Sequence, residues 1–222
     1  ELLKTCDKVI GYSLKDEDII SSDILKTKFK FNNQIIETNL IGKFNVYNLL
    51  AVLTILNTLG KKIDFNKVNS LKSIKGRMDV IHTFPNVIID YAHTSMAMNL
   101  AIKETKEMTK GKLIVIFGAG GERDNSKRYE YGSIALKYAD YVILTNDNPR
   151  NENPYHIIND IIKGRKEKFK VIISRSKAIE EGIKLLNKFD TLLILGKGHE
   201  DYQILGKQKL PYSDYVEVNK WL

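Results

Sequence analysis

A chain of 222 residues with 43% apolar side chains can bury the core of one large domain, or of one domain and part of another, and its 14 Gly and 4 Pro fall well short of a low-complexity composition, so disorder is excluded. No apolar run comes near the 18 or so residues that a bilayer crossing needs, residues 49–56 included, and a membrane span is excluded too. The net charge of +8 is spread evenly to either side of Lys75 instead of forming the basic stripe of a nucleic-acid binder. The densest basic run, residues 163–170, contains Glu167 and reads as a solvated connection, while mild basicity also suits anionic substrates. The single cysteine, Cys6, excludes a disulfide framework and a multi-cysteine zinc module, which fits the reducing cytoplasm. The chain opens on Glu1 without a targeting leader and reads as a piece of a larger protein.

In chain order, residues 8–12 read as a strand. Residues 24–31 and 34–40 are β-rich around Asn32 and Asn33, the pattern of a hairpin. A helix is expected over residues 44–59, stopped by Gly60, and a shorter one over 65–73. Gly76 and Arg77 break the pattern before a further run at 78–82, which places a domain boundary near Lys75 and divides the chain into residues 1–75 and 76–222. Short buried-type strands follow at 87–90, 113–117, 141–144, 171–174 and 192–195. Helical segments at 97–108, 128–138, 154–163 and 177–186 fill the gaps. Such alternation implies an α/β fold with a mostly parallel sheet and helices on both faces. Residues 202–210 read as an antiparallel addition turning at Gly206, and 214–222 as a closing helix.

In open parallel sheets, ligands sit beyond the carboxyl ends of the strands, and the unusual residues of this chain fall there. The first strand runs into Asp90, Tyr91, Ala92, His93 and Thr94, the second into residues 118–124 with Arg123, the third into Asp147, Asn148, Pro149 and Arg150. The last runs into Gly196, Lys197, Gly198, His199 and Glu200. Carboxylates, amides and guanidinium groups beside glycines suit a polar, zwitterionic ligand. A dinucleotide fingerprint fails because Arg123 occupies the third glycine position, and no Gly-Lys pair completes a Walker loop. The four histidines lack ligand spacing, so no metal site is expected. Taken singly, each residue has a plainer reading: Asp147 to Arg150 a polar turn, Arg123 a surface ion pair, Glu200 a cap, Asn45 and Asn48 helix-start caps, Gly76 with Arg77 an interdomain hinge. Their common location at strand ends favours a binding site.

Seven motifs occur in order across nearly the whole chain: G-K-F-N-V-Y-N at 42–48, G-R-M at 76–78, D-Y-A-H-T at 90–94, G-A-G-G-E-R-D at 118–124, D-N-P-R at 147–150, G-K-G-H-E-D-Y at 196–202, and the pair Ser213 and Asp214. In these the chain resembles the Mur ligases, ATP-dependent peptide-bond-forming enzymes of bacterial cell-wall synthesis. The resemblance implies the tail of the central, ATP-binding domain (residues 1–75) followed by a Rossmann-like C-terminal domain that binds the incoming amino acid (76–222). It implies that Arg123, Asp147, Asn148, Arg150, Gly196 and Glu200 hold that amino acid, and that Asn45, Asn48, Arg77, Asp90 and His93 face the nucleotide. It further implies ATP and Mg2+ in the full-length enzyme, with the phosphate loop, the Mg2+ ligands and the catalytic residues outside this piece, which alone would be inactive. The substrates would be ATP, UDP-MurNAc-L-Ala-D-Glu and a diamino acid, with no nucleic-acid or membrane partner, in a monomeric cytoplasmic enzyme. Arg150 favours meso-diaminopimelate, or an isostere with sulfur in the bridge, because a second carboxylate gives it something to grip. A lysine-adding or other Mur ligase, and a Rossmann-like module that binds without chemistry, are the alternatives. Ser95 stands where the family often has proline after D-Y-A-H-T.

Overall fold

The computed structural model describes residues 9–13, 15 and 18–222, and the chain divides into two units between Lys72 and Ser73. In the first unit, β1 (Ile19–Ser22), β2 (Thr27–Phe31) and β3 (Gln34–Thr38) form an antiparallel sheet in the order β1-β2-β3. Asn32 and Asn33 both take positive φ, 47° and 63°, as a two-residue turn matched to strand twist requires. The hairpin therefore sits where its turn signal lies, although its first strand is shorter than residues 24–31. β1 was not expected: its four residues, two of them serine, leave only partly covered side chains and carry no clear alternation. Of the strand expected over 8–12, Lys8 lies outside the described residues, and residues 9–12 contain no strand.

The helix α1 (Lys43–Thr58) buries Val46, Leu49, Leu50 and Leu53, one face at helical spacing, against Phe29 and Ile36 of the sheet. The helix α2 (Phe65–Asn69) adds Val68 to the same core. Asp64 caps α2 by accepting from the backbone N–H groups of Asn66 at 3.1 Å and Lys67 at 3.4 Å. It ends at Asn69 and not at 73, since Ser70 turns its hydroxyl back to the carbonyl of Lys67 at 3.0 Å, an alternative to continuing the helix.

The second unit is a six-stranded sheet of β4 (Asp79–His82), β5 (Asn86–Asp90), β6 (Leu113–Phe117), β7 (Tyr141–Leu144), β8 (Lys170–Val171) and β9 (Thr191–Leu195), in the order β4-β5-β9-β6-β7-β8. β4 pairs antiparallel with β5, and all other pairs are parallel. Every residue of β5, β6 and β9 is buried. Val87, Ile89, Ile114, Ile116, Leu192 and Ile194 meet α6 (Arg175–Lys184) through Ala178 and Ile179, and α7 (Asp214–Asn219) through Val218. The intervening side chains point the other way, toward α3 (Ser95–Met108) and α4 (Arg128–Tyr138), beside which α5 (Pro154–Ile162) packs. Helices thus cover both faces. The last parallel strand, β9, lies at the centre, where its unbroken apolar run can be covered on both sides.

Two further differences concern element ends. β8 has two residues and not four because it is an edge, although the backbone runs on beside β7 through Ile172 N–H to the carbonyl of Leu144 at 2.9 Å. α7 stops at Asn219. Gly76, at the expected hinge, donates its N–H to the hydroxyl of Tyr215 at 2.6 Å, and that hydroxyl donates to Asp79 at 2.6 Å. The closing hairpin, β10 (Tyr202–Leu205) and β11 (Gln208–Pro211), turns at Gly206 as its own two-stranded sheet. No helix among the described residues is long and apolar enough to cross a membrane.

Beneath the strand ends, Arg175 and Asp214 form a fully buried pair, Nε to Oδ1 at 2.8 Å and Nη2 to Oδ2 at 2.7 Å. Arg175 Nη2 also donates to the carbonyl of Leu195 at 2.9 Å, and the hydroxyl of Tyr212 donates to Asp214 at 3.1 Å. Burial works against the charge on Arg175, but Asp214 more than offsets it and the pKa is raised. Asp214→Ala should therefore lower the unfolding free energy measured in urea by about 3 to 5 kcal/mol, the cost of a buried charge left alone. The double change Arg175→Met with Asp214→Leu should lose less than the single one; an equal or larger loss would show that the two charges are not coupled.

Candidate functional site

Beyond the carboxyl ends of β5, β6, β7 and β9 the loops enclose a cleft of about 660 Å³. All six residues expected to hold an amino acid line it, Arg123, Asp147, Asn148, Arg150, Gly196 and Glu200, and so does His93. The loop after β6 fits because it has glycine where backbones touch. A Cβ at Gly121 would lie 1.9 Å from the carbonyl oxygen of Pro149, so only glycine lets this loop pack on the one after β7. Gly121 N–H then donates to the carbonyl of Asn148 at 2.9 Å.

Arg128, at the start of α4, fixes the same loop from behind. Its buried guanidinium donates to Gly120 O at 3.2 Å, to Asp160 at 2.9 Å and to both oxygens of Glu152, Oε2 at 2.7 Å. Glu152 in turn accepts from the N–H of Glu122 at 3.1 Å. The hydrogen bonds from Arg128 hold the Glu152 carboxyl below its ordinary range, against the opposing effect of burial. The sequence offered no signal for this clamp, because arginine and glutamate at such positions are usually solvated.

Arg150 sits at φ 54° and is bound into the fold by its backbone, N–H to Ile204 O at 3.2 Å and carbonyl from Gly206 N–H at 2.7 Å. Its guanidinium donates from Nη1 to the carbonyl oxygens of Gly121 at 2.7 Å and Asn148 at 3.3 Å. Among the described residues neither Arg150 nor Arg123 has an ion-pair partner, so the surface ion pair considered for Arg123 is not formed there. Two guanidinium groups that line a cleft and are not paired with a carboxylate of the protein can receive one from a ligand.

The carboxylates of Asp147 and Glu200 line the same cleft. Gly196 has φ 109°, and a Cβ there would come within 2.6 Å of Asp147 Oδ2; glycine gives Asp147 its place. Glu200 accepts from Asn148 Nδ2 at 3.1 Å, from the hydroxyl of Tyr202 at 3.3 Å and from Lys197 Nζ at 3.3 Å. Asn148 is buried, and its Oδ1 accepts from Lys197 Nζ and Ile204 N–H, both at 2.9 Å. Its side-chain oxygen is thus engaged with the protein. Lys197, within the G-K-G-H-E-D-Y run but given no role from sequence, is fully buried.

The residues expected to face a nucleotide are not all in the cleft. Arg77 lies over the ring of Tyr91 at 4.7 Å, and Tyr91 meets His93 edge-on at 4.7 Å and His199 at a tilt at 5.2 Å. Asp90 is buried, with its oxygens taken by the N–H groups of Met78 and Ala92, both at 2.7 Å; burial raises its pKa in spite of them. It anchors the start of β4. Asn45 and Asn48 belong to α1 of the first unit, where Asn45 Nδ2 donates to the carbonyl of Ile41 at 2.8 Å and Asn48 is exposed. No group of three or more His, Cys, Asp or Glu among the described residues is arranged to hold a metal ion.

Comparison with known proteins adds a family. Residues 76–198 match the model described as Mur ligase, glutamate ligase domain. The chain is 46% identical over 195 residues to the UDP-N-acetylmuramoyl-L-alanyl-D-glutamate–2,6-diaminopimelate ligase of Prochlorococcus marinus, covering 82% of this chain and 38% of that protein. It is 45% identical over 202 residues to the ligase of the same name from Aquifex aeolicus, covering 89% and 42%. The chain thus spans about four tenths of the length of these relatives. A solved structure of a UDP-N-acetylmuramoyl-L-alanyl-D-glutamate–2,6-diaminopimelate ligase superposes with a TM-score of 0.69 at 33% identity, over 91% of this chain and 44% of that one.

The Glu152 clamp makes a pH-dependent prediction. A carboxylate with a lowered folded pKa contributes stability that is fully present above its unfolded value and lost as pH falls through the folded one. The stability gap between the wild-type chain and Glu152→Gln, measured by urea unfolding, should be constant from neutral pH to about 5 and narrow below the ordinary value of 4.5. A gap that widens on acidification would mean that Arg128 does not stabilise the ionised form.

Proposed function

We propose, because the chain belongs to the Mur ligase family, that it is the carboxyl-terminal part of an ADP-forming ligase that adds meso-diaminopimelate, or a close diamino diacid, to UDP-MurNAc-L-Ala-D-Glu. In this reading residues 1–75 end a central ATP-binding domain, and residues 76–222 are the domain that receives the amino acid. The protein would work as a monomer in the cytoplasm on small molecules only, without a nucleic-acid or membrane partner.

The observation that carries this reading is the charge pattern of the cleft. Arg123 and Arg150, with no acidic partner among the described residues, line one cavity together with Asp147 and Glu200. That pattern is complementary to the end of an amino acid carrying both a carboxylate and an ammonium group. Diaminopimelate has two such ends, so one can be gripped while the other presents its amine. The γ-carboxylate of the D-glutamate would take the terminal phosphoryl group of ATP and release ADP. The free amine then attacks the acyl carbon, a proton leaves the nitrogen, and phosphate departs. In this scheme the cleft's residues bind and orient the amine and do not touch the phosphoryl group, and orientation of this kind can remove much of the barrier of a bimolecular step. Mg2+, which would neutralise phosphate charge, finds no set of ligands among the described residues and is assigned to the part of the protein outside this chain, as are the phosphate loop and the uridine-nucleotide site.

Steady-state kinetics of the full-length protein tests the reading. Arg150→Ala should raise KM for diaminopimelate by at least about tenfold with a smaller effect on KM for ATP, and the wild type should use lysine poorly, since a site built around a polar group rejects analogues lacking it by up to about four or five orders of magnitude. Efficient turnover of lysine would assign the protein to the lysine-adding ligases instead. A separate expectation concerns the 222 residues alone: with ATP, UDP-MurNAc-L-Ala-D-Glu and diaminopimelate they should release no phosphate above background, and measurable turnover would place the phosphate-binding machinery within this chain.

A further inference from the structure

We propose that Lys197 is a positioning residue of the amino-acid site, one that fixes Asn148 and Glu200 in a single unit so that Glu200 and Asp147 meet the ligand's ammonium group with one uncompensated negative charge between them. The inference rests on the reading of the cleft as an amino-acid site and adds to it a residue that does not line the cavity.

The geometry is specific. Lys197 is fully buried, and an ammonium group has three hydrogens to donate. All three are used: to Asn148 Oδ1 at 2.9 Å, to the carbonyl of Tyr202 at 2.8 Å and to Glu200 Oε2 at 3.3 Å. Asn148 Nδ2 donates to the same Glu200 oxygen at 3.1 Å, which closes a ring of three side chains. That ring ties the loop after β7 to the loop after β9 and to the start of β10. With its hydrogens committed and no path to the cleft, the amine cannot act as a nucleophile or accept a substrate proton. Its remaining role is placement and charge.

The charge argument is equally direct. Asp147 and Glu200 together would present two negative charges to one ammonium group, one more than it balances. Lys197 neutralises one. Burial, together with the nearby Arg175, draws the Lys197 pKa below its ordinary value against the opposing pull of Asp147 and Glu200, and the three hydrogen bonds that its ammonium group donates hold it in place. Asn148, implied by resemblance to touch the ligand, becomes chiefly the strut through which Lys197 acts.

The test is a double-mutant cycle in the full-length protein, after its preferred amino acid has been identified by comparing diaminopimelate with lysine. Lys197→Met and Asn148→Ala should each raise KM for that amino acid by at least about tenfold, the scale of one hydrogen bond to a charged group, with KM for ATP within about twofold. The double variant should be no worse than the worse single one, because residues that act through one network do not add. Additive losses, an unchanged amino-acid KM, or equal changes in both KM values would overturn the proposal. If Lys197→Met does not fold, Asn148→Ser, which cannot bridge Lys197 and Glu200, is read in its place, and an unchanged amino-acid KM or equal changes in both KM values then overturns the proposal. Should lysine prove the substrate, the diaminopimelate assignment fails while the cycle, run with lysine, still decides the role of Lys197.

Discussion

Arg175 is a buried cation whose charge is met by both oxygens of Asp214, and it holds in place the ends of elements that would otherwise be independent. Through it the start of α6, the start of α7 and the last carbonyl of β9 are joined. A buried charge is expensive unless it is paired and hydrogen-bonded, so the pair admits little variation in geometry. The loop that carries Gly196, Lys197 and Glu200 leaves the sheet at that carbonyl. Whatever orients Leu195 therefore orients the cleft.

Above this pair the site is assembled from contacts that tolerate little displacement. Gly121 lies against the backbone of Pro149, and Gly196 against the carboxylate of Asp147, so the three loops after β6, β7 and β9 fit only at one separation. Arg128 with Glu152, and Lys197 with Asn148 and Glu200, then lock the loops from two sides. The cations at the back, Arg128, Arg175 and Lys197, are paired within the protein, whereas Arg123 and Arg150 at the cleft have no acidic partner among the described residues. This division separates charges that build the site from charges left for a ligand, and it keeps the site preorganised, so less of the binding energy is lost to ordering side chains.

The same division shows what residue-by-residue reading leaves out. Asp90 stands in a motif at a strand end, and its oxygens accept from the N–H groups of Met78 and Ala92. Asn148 lines the cleft but has its oxygen engaged by Lys197 and Ile204. Gly76, at the expected hinge, donates its N–H to Tyr215, which lies far away in sequence. Apart from Ala92, these partners come from elements whose proximity cannot be read along the chain. Lys197 is the converse: its burial depends on a turn flanked by Gly196 and Gly198, and a lysine beside glycines gives no sign that it is inside.

The sequence by itself determined the alternation of strands and helices, the hairpin at Asn32 and Asn33, the apolar face of α1, and the collection of polar residues at strand ends, because these follow from local periodicity and turn chemistry. Membership of the Mur ligases was legible for a related reason, since motifs are local strings in a fixed order. Only the tertiary structure decided that β9 enters between β5 and β6, that β4 runs antiparallel, and that Arg128, Arg175 and Lys197 are buried. Strand order and the burial of charge depend on which long-range pairings satisfy the most backbone and side-chain hydrogen bonds at once, and that sum exists only when the whole unit is folded.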